Sequence, residues 1–182
     1  QIGVSLPTAL TLLNELTHSK FVEVRGTGAS KGGRKPVLFG LSNECIFIIA
    51  CELGRYSAKI TIFNAHNQLI APLTYFETNI DDADLVEKIY QNAQTLIRNN
   101  NLDEELIFGI GVTMPGLIDE GKGINFTIKN KAFRNVKERL EEKFHRLVYV
   151  NNDARMQAYG EYIFGAAKGH KNAIIVNWNW GI

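Results

Sequence analysis

The segment Arg25–Pro36 constrains the fold of this 182-residue chain most strongly, because it is rich in both glycine and basic residues. Its glycines cannot fill a core, and they let the backbone turn tightly and approach another backbone closely. Strand-forming runs flank it at Lys20–Val24 and Val37–Leu41. The pattern predicts a hairpin whose loop carries basic side chains away from any acid, which suits contact with phosphates. These side chains are Arg25, Lys31, Arg34 and Lys35.

A short helix is predicted directly before this hairpin. Ser5 is a suitable N-cap, and the apolar residues after it recur at helical spacing, at Ala9, Leu12, Leu13 and Leu16. A basic loop alone is more often a solvated hairpin tip. A capped helix followed by a basic hairpin, however, is typical of the second half of a winged helix-turn-helix. The candidate DNA-binding residues are Ser5, Thr8, Thr11, Asn14, Lys31, Arg34 and Lys35.

Charge divides the chain near residue 43. Residues 1–43 hold five basic and two acidic residues, whereas residues 44–182 hold fifteen and seventeen. The positive part is expected to contact nucleic acid. No apolar run approaches the roughly 20 residues that span a bilayer, and no signal peptide is evident. The sequence therefore predicts a cytoplasmic protein without membrane contact.

An α/β domain is predicted after a boundary at Ser42–Glu44, and its composition, 45% hydrophobic over the whole chain, allows a proper core. Three hairpin strands followed by helix–strand alternation indicate a mixed sheet. The first strand is an unbroken apolar run, typical of a buried central strand. Its two cysteines are too far apart for a disulfide and are predicted core residues. The predicted elements are strands Cys45–Cys51, Ala58–Phe63, Leu69–Glu77 and Leu106–Thr113, with a helix from about Asp82 to Asn99.

Several segments resemble the ROK (repressor, open reading frame, kinase) family of sugar-responsive proteins. The N-terminal ones match the DNA-binding module of its repressors, and the later ones match its α/β lobe. The resemblance implies a partial winged helix-turn-helix at residues 1–43. It also implies the N-terminal lobe of an actin-like, sugar-kinase ATPase (ribonuclease H-like) fold at residues 44–182. The matching segments are Ser5–Thr8, Leu13–Leu16, Gly32–Pro36, Gly109–Asp119, Val148–Ala154 and Gly160–Gly165.

The same resemblance implies a sugar site. Asn130 and Phe133 stand where the family has an Asn and an aromatic residue near bound sugar. Asn152 stands where an Asn holds a sugar hydroxyl, and Asp153 matches the general base of the family's kinases. From local sequence alone, the cap of the following helix is the favoured role of Asp153, and the resemblance reverses that preference for sugar binding but not for catalysis. The implied sugar-binding residues are Asn130, Asn152 and Asp153, and Asp153 is catalytic only in a kinase.

The nucleotide loops depart from those of the family's kinases. The first loop, usually Asp-x-Gly-Gly-Thr, is Glu52-Leu-Gly-Arg-Tyr56 here, and the second, usually Gly-Thr-Gly, is Asn179-Trp-Gly181. The bulky side chains of Arg55, Tyr56 and Trp180 would occupy the space that phosphates need. We therefore expect a sugar-responsive repressor and not an enzyme. The alternatives are a ROK-type kinase that phosphorylates a hexose with ATP, and a protein-interaction module whose wing binds protein.

The resemblance also implies a segment that would follow Ile182. Complete family members carry a second lobe with a zinc site and most of the dimer surface. We expect a homodimer when the protein is complete, with zinc in that second lobe. No metal or other cofactor is expected in this chain. The expected partners are DNA and a small sugar or sugar phosphate.

Overall fold

The computed structural model describes residues 3–30, 32–33 and 35–177. No helix in these residues has the length and apolar character to cross a bilayer. Two short 3-10 helices lie at Glu104–Leu106 and Lys131–Phe133. The other elements, in chain order, are α1 (Leu6–His18), β1 (Val22–Thr27), β2 (Val37–Leu41), β3 (Phe47–Leu53), β4 (Ser57–Asn64), β5 (Thr74–Glu77), α2 (Leu85–Asn99), β6 (Ile107–Met114), β7 (Ile118–Asp119), β8 (Ile124–Asn125), α3 (Val136–Phe144), β9 (Leu147–Asn152) and α4 (Asp153–Ile163).

The N-terminal part is a helix followed by an antiparallel hairpin, as predicted. Ser5 caps α1, because its Oγ accepts a hydrogen bond from the backbone N–H of Thr8 at 3.4 Å. The helix packs against β1, which pairs with β2. Leu12 and Leu16 nevertheless stay 46% and 42% exposed. The described part of the chain therefore leaves much of the apolar face of α1 uncovered.

The hairpin loop is shorter than predicted, because β1 continues to Thr27. Arg25 is the extra residue of a β-bulge in that strand, between Val24 and Gly26. Gly26 has a φ of +120°, which favours glycine, and so accommodates the irregularity. The prediction that Arg25 lies on the loop with no acid nearby was wrong, since its Nη2 lies 3.2 Å from Oε1 of Glu23.

The main sheet is mixed and five-stranded, with the order β5-β4-β3-β6-β9, which confirms the predicted α/β class. β3 is central, antiparallel to β4 and parallel to β6, and β9 is parallel to β6. β3 begins two residues later than predicted. The strand predicted at Leu69–Glu77 also begins later than expected, because β5 starts only at Thr74. Pro72 cannot donate to a strand ladder, and the preceding carbonyl of Ala71 instead accepts from Thr61 Oγ1 at 2.7 Å.

The core lies between one face of this sheet and helices α2 and α3. Ile49, Ile60 and Ile110 of the sheet are buried there with Leu85 and other helix residues. The opposite face is open, and Ile48 of β3 is 37% exposed on it. The predicted central strand is therefore buried on one face and not on both.

Both cysteines are buried free thiols, as predicted from the apolar run that contains them. Burial raises the pKa of Cys51 to about 12, because the thiolate would lose its hydration, and the neighbouring Glu52 carboxylate adds to the effect. The buried Cys51 thiol is therefore an inert core group in the folded protein.

Asp82 organises the turn before α2 without beginning the helix, which starts three residues later than predicted, at Leu85. Its Oδ2 accepts hydrogen bonds from Lys88 Nζ and Asn79 N–H, both at 2.9 Å, and from Thr78 Oγ1 at 3.2 Å. The Lys88 bond, followed by that from Asn79, lowers the pKa of Asp82.

Replacing Asp82 by Asn should destabilise the fold near neutral pH, and the difference from wild type should vanish in acid. Because the folded pKa lies below the ordinary value of 3.8, the stabilisation is complete above that value. It is lost as pH falls through the folded pKa. Denaturant unfolding between about pH 7 and pH 2 measures this, with the exposed Glu142→Gln as control. A loss in Asp82→Asn that is the same at every pH would contradict the assignment.

Candidate functional site

The carboxyl ends of the three parallel strands β3, β6 and β9 meet at one edge of the sheet. The turns beyond them border a cleft of about 760 Å³. Open α/β sheets bind ligands at such an edge. The cleft is lined by Gly54, Arg55, Tyr56, Asn79, Ile80, Asp81, Pro115, Gly116, Thr127, Lys129, Asp153, Ala154 and Asn177.

A larger pocket, of about 940 Å³, lies on the face of the sheet opposite the core. Its walls are mainly apolar and come from the middle of the strands, including Ala50, Gly111 and Val150. Ligand sites combine apolar walls with a few convergent polar groups. The strand-end cleft has more such groups, and we therefore place the candidate ligand site there.

Asp153 lies in the strand-end cleft, at the first residue of α4, and is half-buried. Its Oδ1 accepts a hydrogen bond from the N–H of Ala154 at 2.8 Å. The helix cap is the preceding residue, Asn152, whose Oδ1 accepts from the N–H of Arg155 at 3.0 Å. A carboxylate has about four lone-pair sites, so Asp153 retains acceptors for the hydroxyl groups of a ligand.

Asn152 joins two of the strand ends. While its Oδ1 caps α4, its Nδ2 donates to the backbone carbonyl of Gly116, which follows β6, at 3.1 Å. The sequence predicted Asn152 as a direct sugar ligand. In the structure Oδ1 and Nδ2 of Asn152 each make one hydrogen bond within the fold, and its role in sugar binding stays a prediction.

Asn130 follows Lys129, which lines the cleft, and its role in sugar binding stays a prediction. Asn130 is exposed, and its Oδ1 accepts from the N–H of Ala132 at 3.0 Å, which caps the 3-10 helix Lys131–Phe133. Phe133 packs partly buried against the core, with the Arg139 guanidinium 4.6 Å from its ring centre. Neither residue is among those that line the strand-end cleft.

Asn125 and Thr127 support the Pro115–Gly116 turn, and sequence reasoning missed both. Asn125 is fully buried, and its Nδ2 donates to the carbonyl of Pro115 at 2.9 Å. Thr127 Oγ1 accepts from the N–H of Leu117 at 2.9 Å. Gly116 has a φ of +119°, and a Cβ there would lie 2.7 Å from both Asn125 Oδ1 and Thr127 Oγ1. In the sequence, the only local indication of this support role is the Asn-x-Thr spacing of Asn125 and Thr127 beside a turn-rich segment.

The cleft also carries paired and basic groups. The Asp81 carboxylate accepts from the backbone N–H of Lys129 at 2.8 Å, and its other oxygen lies 3.6 Å from Lys129 Nζ. Arg55 and Tyr56 follow β3, and the guanidinium lies 5.4 Å from the Tyr56 ring centre. The cleft therefore presents two carboxylates, of Asp81 and Asp153, and two cationic side chains, of Arg55 and Lys129.

The candidate DNA-binding residues fall into three groups. Ser5 and Thr8 are exposed at the start of α1, where their hydroxyl oxygens lie 2.8 Å apart, and Thr11 Oγ1 donates to the Pro7 carbonyl at 3.1 Å. Asn14 and Lys35 are exposed, on α1 and in the hairpin loop. Lys31 and Arg34, like Trp180 of the second predicted nucleotide loop, lie outside the described residues.

No three His, Cys, Asp or Glu side chains gather to hold a metal ion among the residues that the structure describes. The donor set for the zinc that the resemblance implies is therefore not found in this part of the fold.

Comparison with known proteins identifies the relatives of this chain. A model of the ROK family matches residues 48–182. The xylose repressor of Bacillus subtilis (strain 168) is 30% identical over 186 aligned residues, which cover 99% of this chain and 47% of the repressor. The DNA-binding transcriptional dual regulator NagC of Escherichia coli (strain K12) is 26% identical over 178 residues, or 96% and 44% of the two chains. The chain thus spans about half the length of the curated relatives that it matches.

Solved structures share the fold. A ROK family transcriptional regulator, a homologue of the E. coli MLC protein, aligns with a TM-score of 0.65 and 19% identity over 88% of this chain and 41% of its own. A ROK family glucokinase from Streptomyces griseus, in complex with glucose and AMPPNP, aligns with a TM-score of 0.58 and 20% identity over 68% and 38%.

The described residues form an α/β lobe with a mixed sheet, a fold shared with a ROK family transcriptional regulator and a ROK family glucokinase. Since the family model covers well over half of its residues, the chain belongs to the ROK family.

Replacing Asn125 by Ala should destabilise the fold by about 1–3 kcal/mol, because two hydrogen bonds of a fully buried amide are lost, each worth about 0.5–1.5 kcal/mol. The change removes the hydrogen-bond partner of the Pro115 carbonyl and of the Thr127 N–H. Denaturant unfolding measures the loss. Thr95→Ala on the surface of α2, which also removes a hydrogen bond, should stay within about 0.5 kcal/mol of wild type. Wild-type stability in Asn125→Ala would refute its support role.

Proposed function

We propose that this chain is the DNA-binding and effector-binding part of a sugar-responsive transcriptional repressor. The observation that carries the proposal is the extent of the alignment with a protein named as a xylose repressor, which covers 99% of this chain. That alignment includes the helix and basic hairpin as well as the α/β lobe. The excess of basic over acidic residues in residues 1–43 agrees with it.

The proposed division of labour follows the two parts of the chain. Residues 1–43 form part of a winged helix-turn-helix, in which α1 enters the major groove and the hairpin lies along the backbone as the wing. Residues 44–182 form the first ROK lobe, which supplies one wall of the effector cleft. A homodimer suits such a protein, because two recognition helices can contact two half-sites. The protein works in the cytoplasm, where the DNA is accessible.

The effector that fits the strand-end cleft is a sugar or a sugar phosphate. The carboxylates of Asp81 and Asp153 can accept hydrogen bonds from hydroxyl groups, which are the most numerous polar groups of a sugar. The cationic side chains of Arg55 and Lys129 can neutralise a phosphate group. Asp81 is already paired with Lys129, so Asp153 and Arg55 are the proposed principal contacts.

A sugar kinase is the second candidate, because the glucokinase fold is shared and Asp153 lies in the cleft. Phosphoryl transfer also requires nucleotide phosphates held in line with the acceptor hydroxyl. Arg55 and Tyr56 stand at the position of the first phosphate loop and line the same cleft. Their bulk there favours effector binding without catalysis.

Replacing Lys35 by Ala should weaken DNA binding and make its salt dependence shallower. Each lost phosphate contact lowers the slope of log K against log salt by about 0.9. The measurement is a titration of the full-length protein with a duplex selected from random sequences by the wild type. Lys122→Ala, which removes an exposed lysine of the lobe, should bind like wild type. Wild-type affinity and slope in Lys35→Ala would contradict the wing assignment.

Replacing Asp153 by Asn should leave DNA binding intact while weakening the response to the effector sugar by about 10- to 100-fold. Charge-assisted hydrogen bonds worth roughly 1.5–3 kcal/mol are lost, whereas the DNA-contacting residues are unchanged. The test is a DNA-binding titration with and without a panel of sugars and sugar phosphates, with Glu142→Gln as control. An unchanged sugar response would remove Asp153 from the effector site.

The same full-length protein should show no sugar-dependent consumption of ATP. A coupled assay for ADP with the same sugar panel measures this. Turnover that disappears in Asp153→Ala would establish the kinase in place of the repressor.

A further inference from the structure

The base of the hairpin touches the lobe through one polar cluster, centred on Arg25. Its Nη2 donates to the carbonyl of Leu41, the last residue of β2, at 2.7 Å, and lies 3.3 Å from Asn43 Oδ1. Nε2 of His66, from the lobe, lies 2.9 Å from both Arg25 Nη2 and the Leu41 carbonyl oxygen. Arg25 and His66, 41 positions apart, thus contact each other and the same carbonyl oxygen, that of Leu41 at the end of the hairpin.

Two features of the hairpin, the bulge at Arg25 and the glycine at position 40, allow this contact. The bulge at Arg25 turns its side chain across the partner strand, over Gly40. A Cβ on Gly40 would lie 3.0 Å from Arg25 Cγ and 3.3 Å from its Nε, so the missing side chain leaves the path open. Arg25 therefore points back towards the lobe and away from the hairpin loop.

In the lobe, His66 lies in a hydrogen-bonded turn that follows β4. Asn64 is buried, and its Oδ1 accepts from the N–H groups of His66 and Gln68 at 2.9 and 3.0 Å. Its Nδ2 donates to Gln68 Oε1 at 2.9 Å, which fixes the turn. β4 itself starts directly after Tyr56 of the strand-end cleft and ends at Asn64. One strand, roughly 25 Å long, thus connects the cleft to the His66 turn.

Among the residues that the structure describes, neither α1 nor the two hairpin strands pack extensively against a helix or strand of the lobe. An open cleft of about 770 Å³, lined by Ser19, Lys20, Asn43 and lobe residues, separates the hairpin base from the lobe. The orientation of the hairpin then depends on directional polar contacts.

We propose that the contact between Arg25 and His66 holds the hairpin in one orientation on the lobe, and that both are positioning residues for DNA recognition and not DNA ligands. This inference rests on the proposed function for its biological meaning. The two tautomers of neutral His66 allow its Nε2 either to accept from Arg25 or to donate to Leu41. Either bond joins the lobe to the hairpin, and Arg25 Nη2 donates to the same Leu41 carbonyl beside the His66 ring.

The first measurement is independent of DNA. Spin labels at Thr27→Cys and Thr95→Cys in the full-length protein report the distance between hairpin and lobe, since Cys45 and Cys51 are buried. The wild-type distance distribution should be narrow, and Arg25→Ala and His66→Ala should each broaden it. His66→Gln, whose amide can replace either bond, should restore much of the narrow distribution. Narrow distributions in both alanine variants would overturn the proposal whether or not the protein binds DNA.

The second measurement uses the selected duplex. Each alanine variant should weaken binding by about 3- to 10-fold, and the double variant should be no weaker than a single one, because the two residues act as a unit. The salt slope should remain that of wild type, since no phosphate contact is lost. A shallower slope in Arg25→Ala, or additive losses, would overturn the positioning role. If the wild type selects no duplex, the proposed function fails, while broadened distances in both variants would still support the fixed hairpin.

Discussion

The parallel pairing of β6 with β3 on one side and β9 on the other is the interaction on which the candidate site depends. It brings together three strand ends that lie far apart in sequence, at Leu53, Met114 and Asn152. Close pairing requires Gly109, because a Cβ there would lie 2.9 Å from the carbonyl oxygen of Leu147. The buried amide of Asn125 and the capping amide of Asn152 then hold the Pro115–Gly116 turn in the cleft wall.

The sequence allowed prediction of the features that depend on local periodicity. Helix and strand patterns predicted the capped α1, the hairpin and the mixed sheet, because burial repeats at helical or alternating spacing within each element. Asp153 was assigned to a sugar site by resemblance alone, and in the structure it lies in the strand-end cleft. Of the two glycines in β6, Gly109 allows close strand packing, whereas a Cβ on Gly111 would meet nothing within 4 Å.

Contacts between distant residues could not be predicted in this way. The Asp81–Lys129 and Arg25–His66 contacts join residues 48 and 41 positions apart, and no local pattern encodes such a pairing. Arg25 was assigned to the loop because its neighbours are glycines, but a bulge lengthened the strand and turned the side chain back towards the lobe. The open side of the sheet was missed for the same reason, since an apolar run cannot show which face another segment covers.

A regulator with two sites must couple them, because a ligand shifts a conformational equilibrium only by its difference in affinity for the two states. The proposed effector site is the strand-end cleft, and the proposed DNA contacts are α1 and the hairpin. Coupling is also reciprocal, since each ligand must change the affinity of the other by the same factor. Calorimetric titration of the effector sugar into the full-length protein, with and without saturating selected duplex, tests this most directly. We expect the duplex to change the sugar affinity by the factor by which the sugar changes DNA affinity, and equal sugar affinity in both titrations would contradict the account.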